Sequence, residues 1–129
     1  MPGGAPIKSK SKRGRRLYPK DYASIAALAA EDKKALDIKI LEVKKLTPVA
    51  DYLVVCTGES APQLKALSSH IEEKLKEKGV KSIRLEGREN SNWFILDLGS
   101  VIVHIMGKEE RRKYKLEDLW GKRGITYHL

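Results

Sequence analysis

The stretch WFILDLGSVIVHIM, residues 93–106, limits the possible fold more than any other. Two apolar runs, 93–98 and 101–106, flank the dipeptide Gly99-Ser100. Glycine at the first central position of a two-residue loop suits a type II′ turn, because it takes positive φ without a steric cost. The two runs are therefore predicted to form a β-hairpin whose turn sets the register. Leu98 then faces Val101, Leu96 faces Val103, and Phe94 faces Ile105. Side chains alternate between faces along a strand, so these six residues share one face, and all are apolar. The other face holds Trp93, Ile95, Asp97, Ile102, His104 and Met106. A face used only for packing has no need of the carboxylate of Asp97 or the imidazole of His104.

The rest of the chain supplies partners for this hairpin. Asp21 is positioned to cap a helix running to about residue 34, with Ile25, Leu28 and Ala29 on one stripe. Leu36, Ile38 and Ile40 alternate with charged residues, as in a strand with one buried face. Residues 52–57 are a continuous β-prone run, which suits a central strand covered on both sides. Ser60, Pro62 and Gln63 have the form of a helix start with a capping box. Leu64, Leu67, Ile71 and Leu75 follow as one apolar stripe, and Gly79 is a natural stop. A strand over 80–85 and a polar loop over 86–92 lead into the hairpin. After Gly107, Glu109 and Glu110 precede Arg111, Arg112 and Lys113, an order that complements a helix dipole. Leu116, Leu119 and Trp120 form a last amphipathic turn, and 121–129 reads as a loose C-terminal extension. The fold class expected is α+β: a five-stranded mixed sheet flanked by helices, in a single domain over residues 21–120.

A chain of 129 residues suits one such domain and is too short for two. Charge is unevenly spread. Seven of the 26 Lys and Arg fall in residues 1–20, where there is no Asp or Glu. The other 19 are set against 17 acidic residues, so the domain is nearly neutral and the tail makes the protein basic. That tail is rich in like charge and poor in large apolar residues, so it is expected to be disordered. It reads either as an arm reaching RNA phosphates or as an inert solvated segment. Little amphipathic pattern supports a transit peptide. No apolar run approaches ~18–20 residues, so no membrane span is expected. The single cysteine, Cys56, excludes an internal disulfide framework and fits a reducing cytoplasm.

The chemistry-bearing residues do not assemble into a catalytic set. A nucleotidyltransferase needs a Gly-Ser turn to grip a triphosphate and paired aspartates to hold Mg²⁺. Gly99-Ser100 and Gly58-Glu59-Ser60 resemble such turns, yet no Asp-x-Asp and no phosphate loop occur. Asp97 and His104 are diagonal neighbours in the expected register and within reach of each other. They read better as a hydrogen-bonded pair than as a dyad, since no nucleophile lies beside them. His70 and His128 are too isolated to form a metal site with His104, and no cofactor is expected.

WFILDLGSVIVHIM followed by R-x-x-Y-x-LE-x-LW resembles the signature of the ribosomal silencing factor (RsfS, or Iojap) family. The runs KALDIKILEV and TPVADYLVVCTGES extend the resemblance, which covers about residues 24–120 in the family's order. Two positions depart from its usual pattern. Ser100 stands where Gly-Asp is usual at the hairpin turn, and Glu59 stands where Gly-Asn-Ser is more frequent. The resemblance implies a nucleotidyltransferase-like fold that lacks the catalytic residues, and a binding protein rather than an enzyme. It implies a partner, the universal large-subunit ribosomal protein number fourteen. Occupying that protein blocks joining of the small subunit and represses translation when nutrients are scarce. Self-association as a homodimer is also implied. The candidate contact residues are Trp93, Asp97, His104, Met106 and Trp120, with Tyr114 and Leu119 extending the apolar surface. The alternative is a nucleotide-binding or nucleotidyl-transferring enzyme.

Overall fold

The computed structural model describes residues 16–87, 92–120 and 125–128. Most of the expected basic tail and the centre of the 86–92 loop lie outside the described residues. Helix α1 spans Pro19–Asp32, so helix begins just inside the stretch expected to be tail. Its cap is Tyr18, and Asp21 sits in the first turn instead. The Asp21 carboxylate accepts the Tyr18 backbone N–H at 2.8 Å, so it closes the first turn from within. The buried stripe also differs from the expected one. Ala23, Ala26, Ala27 and Ala30 are fully buried, whereas Leu28 is 52% exposed. Methyl groups let α1 lie close to its neighbours, and the longer side chain is turned outward.

Strands β1 (Leu36–Glu42) and β2 (Tyr52–Gly58) follow, then helix α2 (Ala61–Glu77). Every residue of β2 is buried, as its unbroken apolar pattern predicts. The Ser60 hydroxyl accepts the Gln63 N–H at 3.2 Å. Gln63 itself accepts from the Glu59 N–H at 2.6 Å and donates to the carbonyls of Lys33 and Lys34, each at 3.2 Å. One capping residue thus starts α2 and fastens it to the end of α1. Leu64, Leu67, Ile71 and Leu75 are buried, as their spacing predicts.

Strand β3 is only Arg84–Glu86, shorter and later than the 80–85 expected, and all three residues are exposed. The hairpin is β4 (Trp93–Asp97) and β5 (Val101–Gly107), in the expected register: Leu96 pairs with Val103 and Phe94 with Ile105. Gly99 takes φ +90°, the left-handed region that its turn requires. Helices α3 (Lys108–Tyr114) and α4 (Leu116–Trp120) come next. Residues 125–128, expected in a loose extension, form strand β6 (Ile125–His128), which pairs antiparallel with β1. The five expected strands plus this sixth make one mixed sheet, ordered β3-β4-β5-β2-β1-β6. Strands β2 and β5 are parallel, and the remaining neighbours are antiparallel.

The two faces of the sheet are treated differently. Helices α1 and α2 cover one face over Ile40, Val54, Cys56, Leu96, Val103 and Ile105. The other face carries a smaller cluster of Leu41, Val43, Leu53, Val55 and Met106, with Leu116 packed against it. That cover reaches the Met106 end of the hairpin and leaves Ile95, Asp97 and His104 half-buried. No described helix is long and apolar enough to cross a membrane.

Candidate functional site

The uncovered part of the second face lies on the hairpin. Trp93, Ile95 and Asp97 of β4 and Ile102 and His104 of β5 are all half-buried, while the residues between them in sequence are buried against the helices. Alternation puts them side by side on a shallow platform.

Three rings form a row across this platform. The Trp93 indole Nε1–H donates to Nδ1 of His104 at 3.0 Å. The Trp93 and Tyr114 ring centroids are 4.8 Å apart and tilted by 46°. Tyr114 comes from the last turn of α3 and is 48% exposed. Offset, tilted ring contacts of this kind hold their members in one orientation. Burial lowers the His104 imidazole to about 4, so the ring is neutral and free to accept from Trp93 at Nδ1.

The expected site residues fall in different places. Asp97 and His104 share the face but do not pair. Asp97 Oδ1 accepts the Gly99 N–H at 2.7 Å, and so belongs to the hairpin turn. Met106 pairs with Trp93 in the ladder, as the register predicts, yet it is fully buried. Leu41, Val55 and Leu116 pack around it, so Met106 flanks Trp93 on the same face and presents nothing to a partner. Trp120 ends α4, and its side chain lies outside the described residues.

Arg111 is the residue whose importance the sequence conceals. As the middle member of a basic run it reads as a solvated end of a helix. Instead it is buried, and α3 aims it back under the sheet end. Its Nη1 donates to the Thr57 hydroxyl at 2.8 Å, and its Nε donates to both Glu117 oxygens at 3.2 and 2.9 Å. Its Nη2 lies 3.3 Å from Asp37 Oδ2. One guanidinium therefore ties α3 to β2, β1 and α4, and so fixes where Tyr114 meets Trp93. The signal in the sequence was its place at the head of R-x-x-Y-x-LE-x-LW, with Glu117 in the same motif.

A cavity of about 250 Å³ opens at the carboxyl ends of the parallel strands β2 and β5. Open α/β sheets take ligands at such a position. Glu59, Glu109 and Glu110 line it against one cation, Lys108, which is itself paired with Glu59 at 3.2 Å. A triphosphate entering there meets more negative charge than positive. Among the described residues no group of three His, Cys, Asp or Glu is placed to hold a metal ion. Burial pushes the Cys56 thiol up to about 12, which removes it as a nucleophile.

The family model described as ribosomal silencing factor during starvation matches residues 18–127. The chain belongs to the ribosomal silencing factor family. A curated ribosomal silencing factor from Bacillus subtilis is 40% identical over 105 residues, which span 81% of this chain and 89% of that protein. A crystal structure of a Chromobacterium violaceum protein superposes with a TM-score of 0.78 at 39% identity, covering 81% of this chain and 88% of the other. A mouse protein named for mitochondrial assembly of the ribosomal large subunit is 31% identical over 100 residues, 75% of this chain and 44% of its own length. The silencing-factor match runs past the 24–120 of the sequence resemblance and takes in most of β6.

Proposed function

We propose that this chain silences ribosomes by occupying the large subunit, where it contacts ribosomal protein number fourteen and sterically prevents joining of the small subunit. The observation that carries the reading is the row His104–Trp93–Tyr114 on a half-buried sheet face. Aromatic residues over a buried apolar base, with polar groups at the edge, are the composition of a protein-binding surface. The name of the mouse relative, which places that protein in large-subunit assembly, supports the large subunit as partner. The mechanism requires shape and occupancy and no catalysis. Its setting is the cytoplasm, where subunits join, and the starvation named in the family description supplies the occasion. Self-association as a homodimer would hide the same apolar face in the resting protein. The basic tail adds contacts to rRNA phosphates.

Subunit joining followed by light scattering tests the proposal. Inhibition should saturate near one copy per large subunit, require no nucleotide, and fail against ribosomes already joined. Substoichiometric amounts that inactivate many subunits over time, or a strict need for ATP, would replace this reading with an enzymatic one.

A further inference from the structure

An indole N–H can only donate, so the bond from Trp93 Nε1 at 3.0 Å makes His104 Nδ1 an acceptor. In a neutral imidazole the proton must then sit on Nε2. No described residue accepts from that Nε2–H, and His104 is half-buried on the platform. The platform thus carries one directional donor whose tautomer is set from inside the protein.

Resting on the large-subunit reading above, we propose that His104 Nε2–H is a specificity contact, and that the partner meets it with a neutral protein acceptor, a main-chain carbonyl or a hydroxyl. Strands β4 and β5 contain no Lys or Arg to hold RNA phosphates beside His104, and the cation on the row, Lys113 of α3, lies at its Tyr114 end, 5.7 Å from that ring's centroid. Asp97 occupies the same face one diagonal step away and disfavours a partner carboxylate. Leaving the donor unmet on docking would bury an unpaired polar group, which discriminates against surfaces that lack the acceptor. Trp93 is then a positioning residue for the contact as well as apolar surface.

Two substitutions separate the roles of the two ring nitrogens. Asparagine places its terminal atoms near Nδ1, and glutamine places them near Nε2. His104→Asn keeps an acceptor for Trp93 and removes the outward donor. His104→Gln keeps the donor and loses the inner bond. Affinity for purified large subunits should fall roughly tenfold in H104N, the value of one lost hydrogen bond. H104Q should bind within a fewfold of the unaltered chain. A purely structural role predicts the opposite order, and that result would overturn the proposal. The ratio between H104N and the unaltered chain should be the same at low and high salt. A ratio that shrinks with salt would mean a charged acceptor, against the proposal.

Long-range nitrogen–proton NMR of the free protein reads the tautomer directly. The Nε2–H form should dominate, and Trp93→Phe should give a mixture of tautomers. A dominant Nδ1–H form would refute the inference with or without a ribosome. Absence of any binding by the unaltered chain would remove the large-subunit reading itself, and the partner assignment with it. Equal binding to protein-free rRNA would move the contact to RNA and likewise overturn it.

Discussion

Arg111 Nη1 donates to the hydroxyl of Thr57 at 2.8 Å, across 54 positions of sequence. That bond joins α3 to the C-terminal end of the central strand β2. The same guanidinium holds Glu117 through two further bonds. Everything that α3 contributes to the open face, Tyr114 above all, is placed by this junction.

Arg111→Ala should therefore destabilise the fold by about 2 kcal/mol, because it removes the bond to Thr57 and the bonds to the half-buried Glu117 carboxylate, while the exposed Asp37 stays solvated. Thr57→Val should cost nearer 1 kcal/mol, since it removes one hydrogen bond. Urea unfolding of both variants measures this. An Arg111→Ala protein within 0.5 kcal/mol of the parent would show that the network does not fasten α3, by roughly the margin expected of a surface change.

Trp93→Ala should weaken large-subunit binding by about 2 kcal/mol while changing stability less. It removes the indole that links His104 to Tyr114, but Met106 and its apolar surroundings remain beside the site. Comparing the binding constant with the unfolding midpoint decides the matter. If the binding loss merely follows unfolding, Trp93 is core and the platform is not the contact.

A Cβ added at Gly58 would lie 2.7 Å from Leu64 Cδ2, inside the closest approach that real side chains make. Gly58→Ala should thus force the buried Leu64 and Leu67 side chains to repack and cost about 1–3 kcal/mol by overpacking. Leu64→Ala alone empties part of the core and costs about 2–5 kcal/mol, so in the double variant the added cost of Gly58→Ala should shrink. Strictly additive losses in thermal unfolding would place the strain elsewhere.

His104 links stability to pH. Its folded value, about 4, lies below the usual 6.5 or so of an unfolded chain, so the unfolded state binds the proton first. The neutral ring's contribution is complete above about 6.5 and is lost as pH falls toward 4. Against H104N, the parent should lose on the order of 1 kcal/mol of relative stability between pH 7 and 5. Parallel denaturation curves for the two proteins at each pH would exclude a buried neutral histidine.

Removal of residues 1–15 should leave the fold unchanged and flatten the salt dependence of large-subunit affinity, because five Lys and Arg leave with them. The cut should stop there. Tyr18 caps α1, so a deletion reaching residue 20 damages the helix start as well. An unchanged salt slope would make the tail inert.

Local pattern was enough to define much of this protein. Alternation and a glycine turn set the hairpin and its register, an unbroken apolar run marked β2 as central, and a regular stripe marked α2. Each of these depends on residues within a few positions of one another, so the chain alone carries the information. The character of the site depends on more distant residues. Alternation put Trp93, His104 and Met106 on one face but could not say what lies over that face. The packing of β1, β2 and α4 buries Met106 and leaves Trp93 and His104 half-buried. The choice of partner for His104 also escaped the sequence. Asp97 was within reach, yet the Gly99 N–H claims its carboxylate and the Trp93 indole claims the imidazole. The clearest case is Arg111. Its neighbours in sequence describe a solvated helix end, and only the approach of Thr57, Asp37 and Glu117 from three other elements makes it the buried junction beneath the site.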